Sequence, residues 1–268
     1  MYPAERHAAI VAAAHGGTGR IAVSETSERL GVARETIRRD LAVLERQGVV
    51  RRHRGGAVLI DRVPFELSLQ TRQSTEARER RAIAERIVGD LPEEGSILLD
   101  SGSMTLEIAM LLPENRTLLV VTNSLPVAAI LAGRERLTVL TFPGQARSVT
   151  QATVGDWAQR RLASLHVDVA VVGANGVHLE AGVTTTLPEE AEIKRGMLRA
   201  ARRRVLAVTA SKFGAISFCH AADIAEFDVL VTDDRLDAAT VAAASALGPE
   251  VHVVTPGDPP RDLAQPSP

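Results

Sequence analysis

Residues 23–58 read VSETSERLGVARETIRRDLAVLERQGVVRRHRGGAV, and this stretch decides the fold of the N-terminal part of the chain. A short helix is predicted over 24–30, a turn at Gly31, and a longer helix over 34–47 that Gly48 ends. In the longer helix Ile37, Leu41 and Leu44 recur at i, i+4 and i+7, the spacing of a buried stripe. Glu35, Arg38, Arg39 and Arg46 point away from that stripe, and Arg34 and Thr36 sit at its exposed start. Two β-prone runs, 48–52 and 57–60, flank Gly55-Gly56, with Arg51, Arg52, His53 and Arg54 leading into the turn. Upstream, residues 4–15 form a first helix with Ile10, Val11 and Ala14 on one face, ended by Gly16, Gly17 and Gly19.

Turn, charged helix and basic hairpin, in that order, describe a winged helix-turn-helix over residues 1–60. One face of the charged helix packs on its own domain and the other presents long donors to a DNA groove. Arginine suits that face through bidentate contact with guanine or pairing with phosphate. The basic hairpin can lie along the phosphate backbone or minor groove of double-stranded operator DNA. The plainer alternative is a protein-contact module with solvated arginines; the ordered combination favours DNA. Charge agrees: the net charge is −2, but residues 1–60 carry 10 Arg, no Lys and 6 acids, against 21 basic and 27 acidic residues in the remainder. A basic head on an acidic body fits a DNA reader joined to a part that does not touch DNA. Seven Arg lie between 34 and 54, against Glu35, Asp40 and Glu45. Binding by a dimer should then fall about 10³-fold or more between roughly 50 and 200 mM salt.

Residues 61–74, with Pro64 and alternating polar residues, read as a linker. From 75 to 255 the rhythm changes to that of an α/β domain. Apolar β-prone runs at 96–99, 117–122, 136–142, 167–172, 204–208, 228–232 and 250–254 are separated by helical patterns at 75–90, 103–112, 124–132, 151–164, 188–201 and 237–247. That alternation predicts a mostly parallel sheet. Residues 256–268, Pro-rich, are predicted to be a disordered tail.

The clearest site in the body is ILLDSGSMT, residues 97–105. A strand ends at Asp100, and a turn of Ser101, Gly102 and Ser103 opens a helix. Such a unit either aims free backbone N–H groups and hydroxyls at an anion or merely caps the helix. Polar turns follow other strands: TNS at 122–124, GANG at 173–176 and TASKFG at 209–214. In an open α/β sheet these loops share the crevice at the carboxyl ends of the strands. The chain has 29 Arg but only two Lys, Lys194 and Lys212, both near these loops; ordinary surface lysines are the bland alternative.

The TIRRDL helix at 36–41 and the R-x-x-GG wing at 52–56 resemble the heads of the DeoR family of bacterial transcriptional regulators. The body resembles that family's sensor domain through ERRAIAERI, LLDSGSMT, VVTNSLPVA, VDVAVVGANGV, EEAEIKRGM and SKFG. The resemblance implies a fold similar to sugar-phosphate isomerases and coenzyme A transferases, which binds a phosphorylated sugar without turning it over. It implies a repressor of a carbohydrate-metabolism operon, acting as a dimer or tetramer. It maps Ser101, Gly102, Ser103 and Thr105, next to Asp100, to a phosphate loop. Thr122, Asn123, Gly173, Ala174, Asn175, Gly176, Lys194 and Lys212 map to the rest of the effector cleft. The chain departs from the family at Ala33, where Ser often opens the recognition helix, and at Pro143, Asn175 and Thr209, where Gly, Asp or Gly, and Asp are usual.

The rival reading is a sugar-phosphate isomerase with an accessory head. It needs a carboxylate base, for which Asp100 and Glu192 lie near candidate loops. Asn175 cannot be a base, no His lies in the phosphate or lysine motifs, and His178 and His220 read as surface histidines without a partner. No catalytic residue, cofactor or metal site is expected. The single Cys219 excludes an internal disulfide and any cysteine-cluster metal site, and reads as a packed hydrophobe. The N-terminus lacks a signal-peptide pattern and no apolar run reaches membrane-span length, so a cytoplasmic protein is expected.

Overall fold

The computed structural model describes residues 3–15, 20–46, 50–59 and 69–257. The chain divides into two compact units, with the boundary between Thr75 and Glu76.

The first unit comprises α1 (Pro3–His15), β1 (Arg20–Ala22), α2 (Val23–Leu30), α3 (Arg34–Arg46), β2 (Val50–His53), β3 (Gly56–Leu59) and α4 (Leu69–Ser74). The expected stripe is its core: Ile37, Leu41 and Leu44 are at most 1% exposed and pack with Ile10, Val11, Ala14, Ile21, Val23, Val50 and Ala57. Burying each large aliphatic side chain is worth about 1.5–3 kcal/mol. Gly31 closes α2 in the left-handed conformation (φ 63°), which only a residue without Cβ adopts cheaply. The Ser27 hydroxyl donates to the Val32 carbonyl at 2.6 Å and braces that turn.

The wing is a three-stranded antiparallel sheet in the order β1-β3-β2, with β3 central. Sequence reading anticipated two of its strands; β1, three residues long, was too short to show a period. Its presence explains the glycine pair. Gly55 has φ 93°, as the tight turn demands. At Gly56 a Cβ would sit 2.0 Å from the Ile21 carbonyl oxygen, so β1 can pair there only with glycine. Of the expected linker, 61–68 lie outside the described residues; 69–74 form α4, which packs on α1, with Leu69 buried.

The second unit holds α5 (Ala77–Asp90), β4 (Glu94–Leu99), α6 (Ser103–Leu111), β5 (Thr117–Thr122), α7 (Leu125–Leu131), β6 (Leu137–Thr141), β7 (Gln145–Ala146), β8 (Thr153–Val154), α8 (Asp156–Leu162), β9 (Val167–Val172), β10 (Gly176–His178), β11 (Gly182–Thr185), α9 (Pro188–Ala200), β12 (Ala201–Ala207), β13 (Cys219–Ala222), β14 (Val229–Asp233), α10 (Ala238–Ala246) and β15 (Glu250–Val254). Seven strands form a wholly parallel sheet in the order β15-β14-β12-β9-β4-β5-β6. Its central strands are continuous apolar runs because both faces are covered, as at Ile97, Leu98 and Leu99. Helices α5 and α6 pack on each other, α8 packs on α9, and α9 packs on β9.

Two features differ from the expectation. The helix expected over 151–164 begins only at Asp156, because β7 and β8 pair as a hairpin before it. Gln151 takes φ 54° at its turn, with its N–H on the Arg147 carbonyl at 2.8 Å. Strands β10, β11 and β13 form a separate antiparallel sheet of three- and four-residue strands, below the length that sequence periodicity detects. The expected tail begins at 256; Pro256 and Gly257 are described, and 258–268 lie outside the described residues.

The Gly56→Ala variant should lose at least about 1–3 kcal/mol from the first unit, since backbone must move to admit the methyl. Gly55→Ala, which meets open space, should lose only about 1–2 kcal/mol from its left-handed backbone. Urea unfolding followed by circular dichroism ranks the two; equal losses would contradict the steric account.

Candidate functional site

The DNA-facing candidates occupy one helix and one hairpin. On α3, Arg34, Glu35, Arg38 and Arg39 are exposed and Thr36 is half-buried, its N–H donating to the Ala33 carbonyl at 2.9 Å. The Arg46 side chain lies outside the described residues. Arg38 pairs loosely with Glu35 (3.2 Å), both largely solvent-exposed. On the wing, Arg51, Arg52, His53 and Arg54 are all exposed, but they are not equivalent. The Arg52 backbone N–H and Nε reach the two Glu45 oxygens at 3.0 and 2.6 Å, tying wing to helix. Those hydrogen bonds, the backbone one foremost, hold the Glu45 carboxyl below its ordinary range.

Asp40, one of the three acids set among these arginines in the sequence, is buried and has another role. Arg6 Nε and Nη2 grip its two oxygens at 2.8 and 3.0 Å, and His7 Nε2 lies 3.0 Å away. The hydrogen bond to Asp40 raises the Arg6 pKa against the opposing effect of burial. This clamp joins α1 to α3, and removing Asp40 would leave a buried guanidinium without its carboxylate.

In the second unit, the exits of β4, β5 and β9 converge on Asp100, Asn123 and Gly173. Asp100 is buried; its Oδ2 accepts from the buried Lys194 ammonium and from the Gly173 N–H (3.1 Å). The same ammonium donates to the Gly173 carbonyl at 3.0 Å. Two of the predicted residues, 94 positions apart, thus form one compensated pair. Directly after Asp100, helix α6 begins at Ser103 with no side-chain cap. Its first intrahelical bond is Leu106 N–H to the Gly102 carbonyl, so the N–H groups of Ser103, Met104 and Thr105 end the helix without an intrahelical acceptor. Gly102 has φ 130°, is buried, and has no atom within 4 Å of where a Cβ would stand. An open cradle therefore lies over a bare helix N-terminus.

Other predicted residues support that cradle. The Thr105 hydroxyl donates to the Gly102 carbonyl at 3.3 Å, and the Thr122 hydroxyl accepts from Ser124 N–H at 3.0 Å. Asn123 is buried; its Nδ2 donates to the Thr153 carbonyl at 3.3 Å while its Oδ1 has no hydrogen-bond partner among the described residues. Ala174 packs against the core, and Asn175 Oδ1 accepts from the Thr185 hydroxyl at 2.9 Å. Gly176 allows close approach: a Cβ would lie 2.4 Å from the Ala215 carbonyl oxygen.

Sequence reading missed the buried Glu190. It accepts from Thr185 (3.1 Å), Thr150 (3.2 Å) and Arg147, which carries the β7–β8 hairpin to the start of α9. The available signal was an acid in the first turn after Pro188, a position that the helix dipole favours. Lys212 is half-buried on the 3₁₀ turn Ala210–Lys212 after β12. The proposed isomerase base Glu192 is exposed and pairs with Arg195 at 2.6 Å, away from Asp100. Both histidines read as partnerless have partners: His178 Nδ1 accepts from Glu180 and Ala181 N–H groups at 3.2 and 3.3 Å, and His220 pairs with Asp223 at 3.0 Å. Cys219 is half-buried, and burial raises its thiol pKa. No helix among the described residues is long and apolar enough to cross a membrane.

A winged helix-turn-helix joined to a parallel α/β domain with a polar strand-exit edge defines a DNA-binding regulator carrying a sensor domain. Comparison with known proteins agrees. Residues 6–63 match the DeoR-like helix-turn-helix domain and residues 75–234 match the DeoR C terminal sensor domain. The chain is 37% identical over 238 residues to the HTH-type transcriptional regulator GlpR of Haloferax volcanii, covering 89% of this chain and 92% of that protein. It is 31% identical to the putative aga operon transcriptional repressor of Escherichia coli O157:H7, covering 88% of each. Among solved structures, ribose 5 phosphate isomerase A from Neisseria gonorrhoeae overlaps 51% of this chain and 53% of its own, at 17% identity and TM-score 0.37. The chain belongs to the DeoR family of transcriptional regulators.

Lys194→Met should cost about 3–5 kcal/mol, because it strands a buried carboxylate. The double variant Lys194→Met/Asp100→Asn should recover much of that loss. Urea titration of the full chain gives both numbers, and additive losses would show that the pair is not coupled.

Proposed function

We propose that this protein is a repressor of a carbohydrate-metabolism operon, released from or recruited to its operator by a phosphorylated sugar held in the second unit. One observation carries the reading: the uncapped N-terminus of α6 opens into the cradle over Gly102, beside Ser101 and Ser103. Three N–H groups without an intrahelical acceptor and the positive end of the helix dipole attract an anion. Lys194 matters here by cancelling Asp100, whose bare carboxylate would repel a phosphate. Asn123 Oδ1, buried and without a hydrogen-bond partner among the described residues, is a ready acceptor for a ligand hydroxyl.

The same pairing speaks for sensing rather than turnover. The Asp100 carboxylate is engaged by Lys194 and Gly173, and Glu190 by Thr185, Thr150 and Arg147. Each carboxylate is used as an acceptor for a fixed donor, the opposite of a base waiting for a substrate proton. On the DNA side, Arg34, Arg38 and Arg39 read the major groove and Arg51, His53 and Arg54 follow the backbone. A homo-oligomer places two such heads on paired half-sites. The effector shifts operator affinity by binding the two arrangements of heads unequally.

Thermal shift of the full chain across phosphorylated sugars tests the pocket, because a bound ligand raises the midpoint by mass action. The midpoint should rise with at least one sugar phosphate and not with its unphosphorylated parent; no rise across a broad panel removes this reading. A mobility shift on the chain's own upstream DNA tests the head. Arg39→Ala should abolish specific binding while leaving the thermal shift intact. Arg51→Ala and Arg54→Ala should each lower the salt slope by about 1. Arg52→Ala should also lower the stability of the head, since it releases Glu45.

A further inference from the structure

The boundary between the two units falls on a strained residue. Glu76, the first residue of the second unit, has φ 52° and ψ 37°, a left-handed conformation that costs a non-glycine residue roughly 1–2 kcal/mol. Such a conformation persists only where the surroundings over-determine it. Here its carboxylate does so. Oε2 accepts from the Thr209 hydroxyl at 3.0 Å and the Ser211 hydroxyl at 2.8 Å, and Oε1 accepts from Arg235 Nη2 at 2.6 Å.

The partners of Glu76 are themselves held. Arg235 Nε donates to Asp233 Oδ1 at 2.6 Å, and Asp233 Oδ2 accepts from the Ala210 N–H at 2.8 Å. Burial pushes the Asp233 carboxyl up, but the Arg235 and Ala210 hydrogen bonds outweigh it and hold it below the ordinary range. The turn after β12 is thus clamped between two carboxylates, with Arg235 bridging them. Its other side is not packed solid. A cavity of about 610 Å³ is lined by Ala210, Phe213, Gly214, Arg235 and residues of the β10 exit.

We propose that Glu76 is the positioning residue through which the β12 exit turn governs the DNA-reading unit. The covalent path between the units runs through Thr75 and Glu76. While Thr209, Ser211 and Arg235 hold the carboxylate, Glu76 keeps its left-handed backbone at the start of α5. When the turn shifts, the carboxylate is released and the strain at Glu76 relaxes. This inference rests on the proposed effector binding for what moves the turn. A plain helix-start acid is the competing account of Glu76. It would stabilise α5 without any effect on DNA affinity.

The test uses the full chain and its own upstream DNA at fixed salt. Thr209→Val/Ser211→Ala removes both hydroxyl donors and leaves Glu76 and Arg235 in place. Glu76→Gly permits the same backbone without the carboxylate. Both should change operator affinity by about fivefold or more, the scale of allosteric coupling. Amide exchange over residues 70–82 should accelerate by about tenfold, reporting local opening. Thr209→Ser with Ser211 intact keeps both hydroxyls and should behave as wild type, which guards against a general folding defect. Operator affinity within twofold of wild type in both disrupting variants would overturn the proposal, whatever the exchange shows. Thermal shift of the wild type with the phosphorylated sugars tests the pocket separately. No shift there removes the pocket reading, while the role of Glu76 still stands or falls on the operator affinities.

Discussion

Seven parallel strands must release their chain along one edge, and the charges gathered there have to compensate one another. Everything distinctive in the second unit follows from that constraint. Parallel strands buried on both faces are apolar along their length, so polar side chains are pushed to the exits. Asp100 leaves β4 and Asp233 ends β14. Each is deeply buried and each has recruited a cation, Lys194 for one and Arg235 for the other. The two pairs flank the β9 and β12 exits. One lies beside the bare start of α6, and the other holds the turn that carries Lys212.

The first unit solves a related problem at smaller scale. A small helical head with a small sheet has few residues to bury, and it places two charged side chains, Arg6 and Asp40, in its interior. Arg6 and Asp40 join the first and third helices through a paired fork, a geometry that lysine could not reproduce. The cost of desolvating both is offset only because the geometry is bidentate. The benefit is that α3 is held rigidly from behind while its arginines face outward. Arg52 and Glu45 do the same for the wing. Of the arginines that make the head basic, two therefore serve to aim the others.

Much of the fold was legible in the residues. Ile37, Leu41 and Leu44 announced α3 by spacing alone, and each of the seven parallel strands overlaps a run that sequence reading marked as β-prone, although β4 and β12 begin two and three residues before theirs. The convergence of ILLDSGSMT, TNS and GANG on one edge also followed from strand–helix alternation. The misses share a cause. Strands β1, β10, β11 and β13 have only three or four residues, too few for a period to show. The helix expected from 151 begins at Asp156 because β-branched Thr153 and Val154 pair with the hairpin strand. Residues 69–74, polar and near a proline, read as linker yet form a helix because Leu69 is buried.

By itself the sequence determined the periodic elements, the charge asymmetry and the family, since each depends on neighbours within a few turns of chain. Only the tertiary structure decided what the charged residues do. Arg6 and Asp40 are 34 positions apart, Lys194 and Asp100 are 94, and Glu76 and Arg235 are 159. No local pattern can say which carboxylate a cation will meet across such a distance. That choice is made when burial strips water from both, and an unpaired charge becomes too costly to keep.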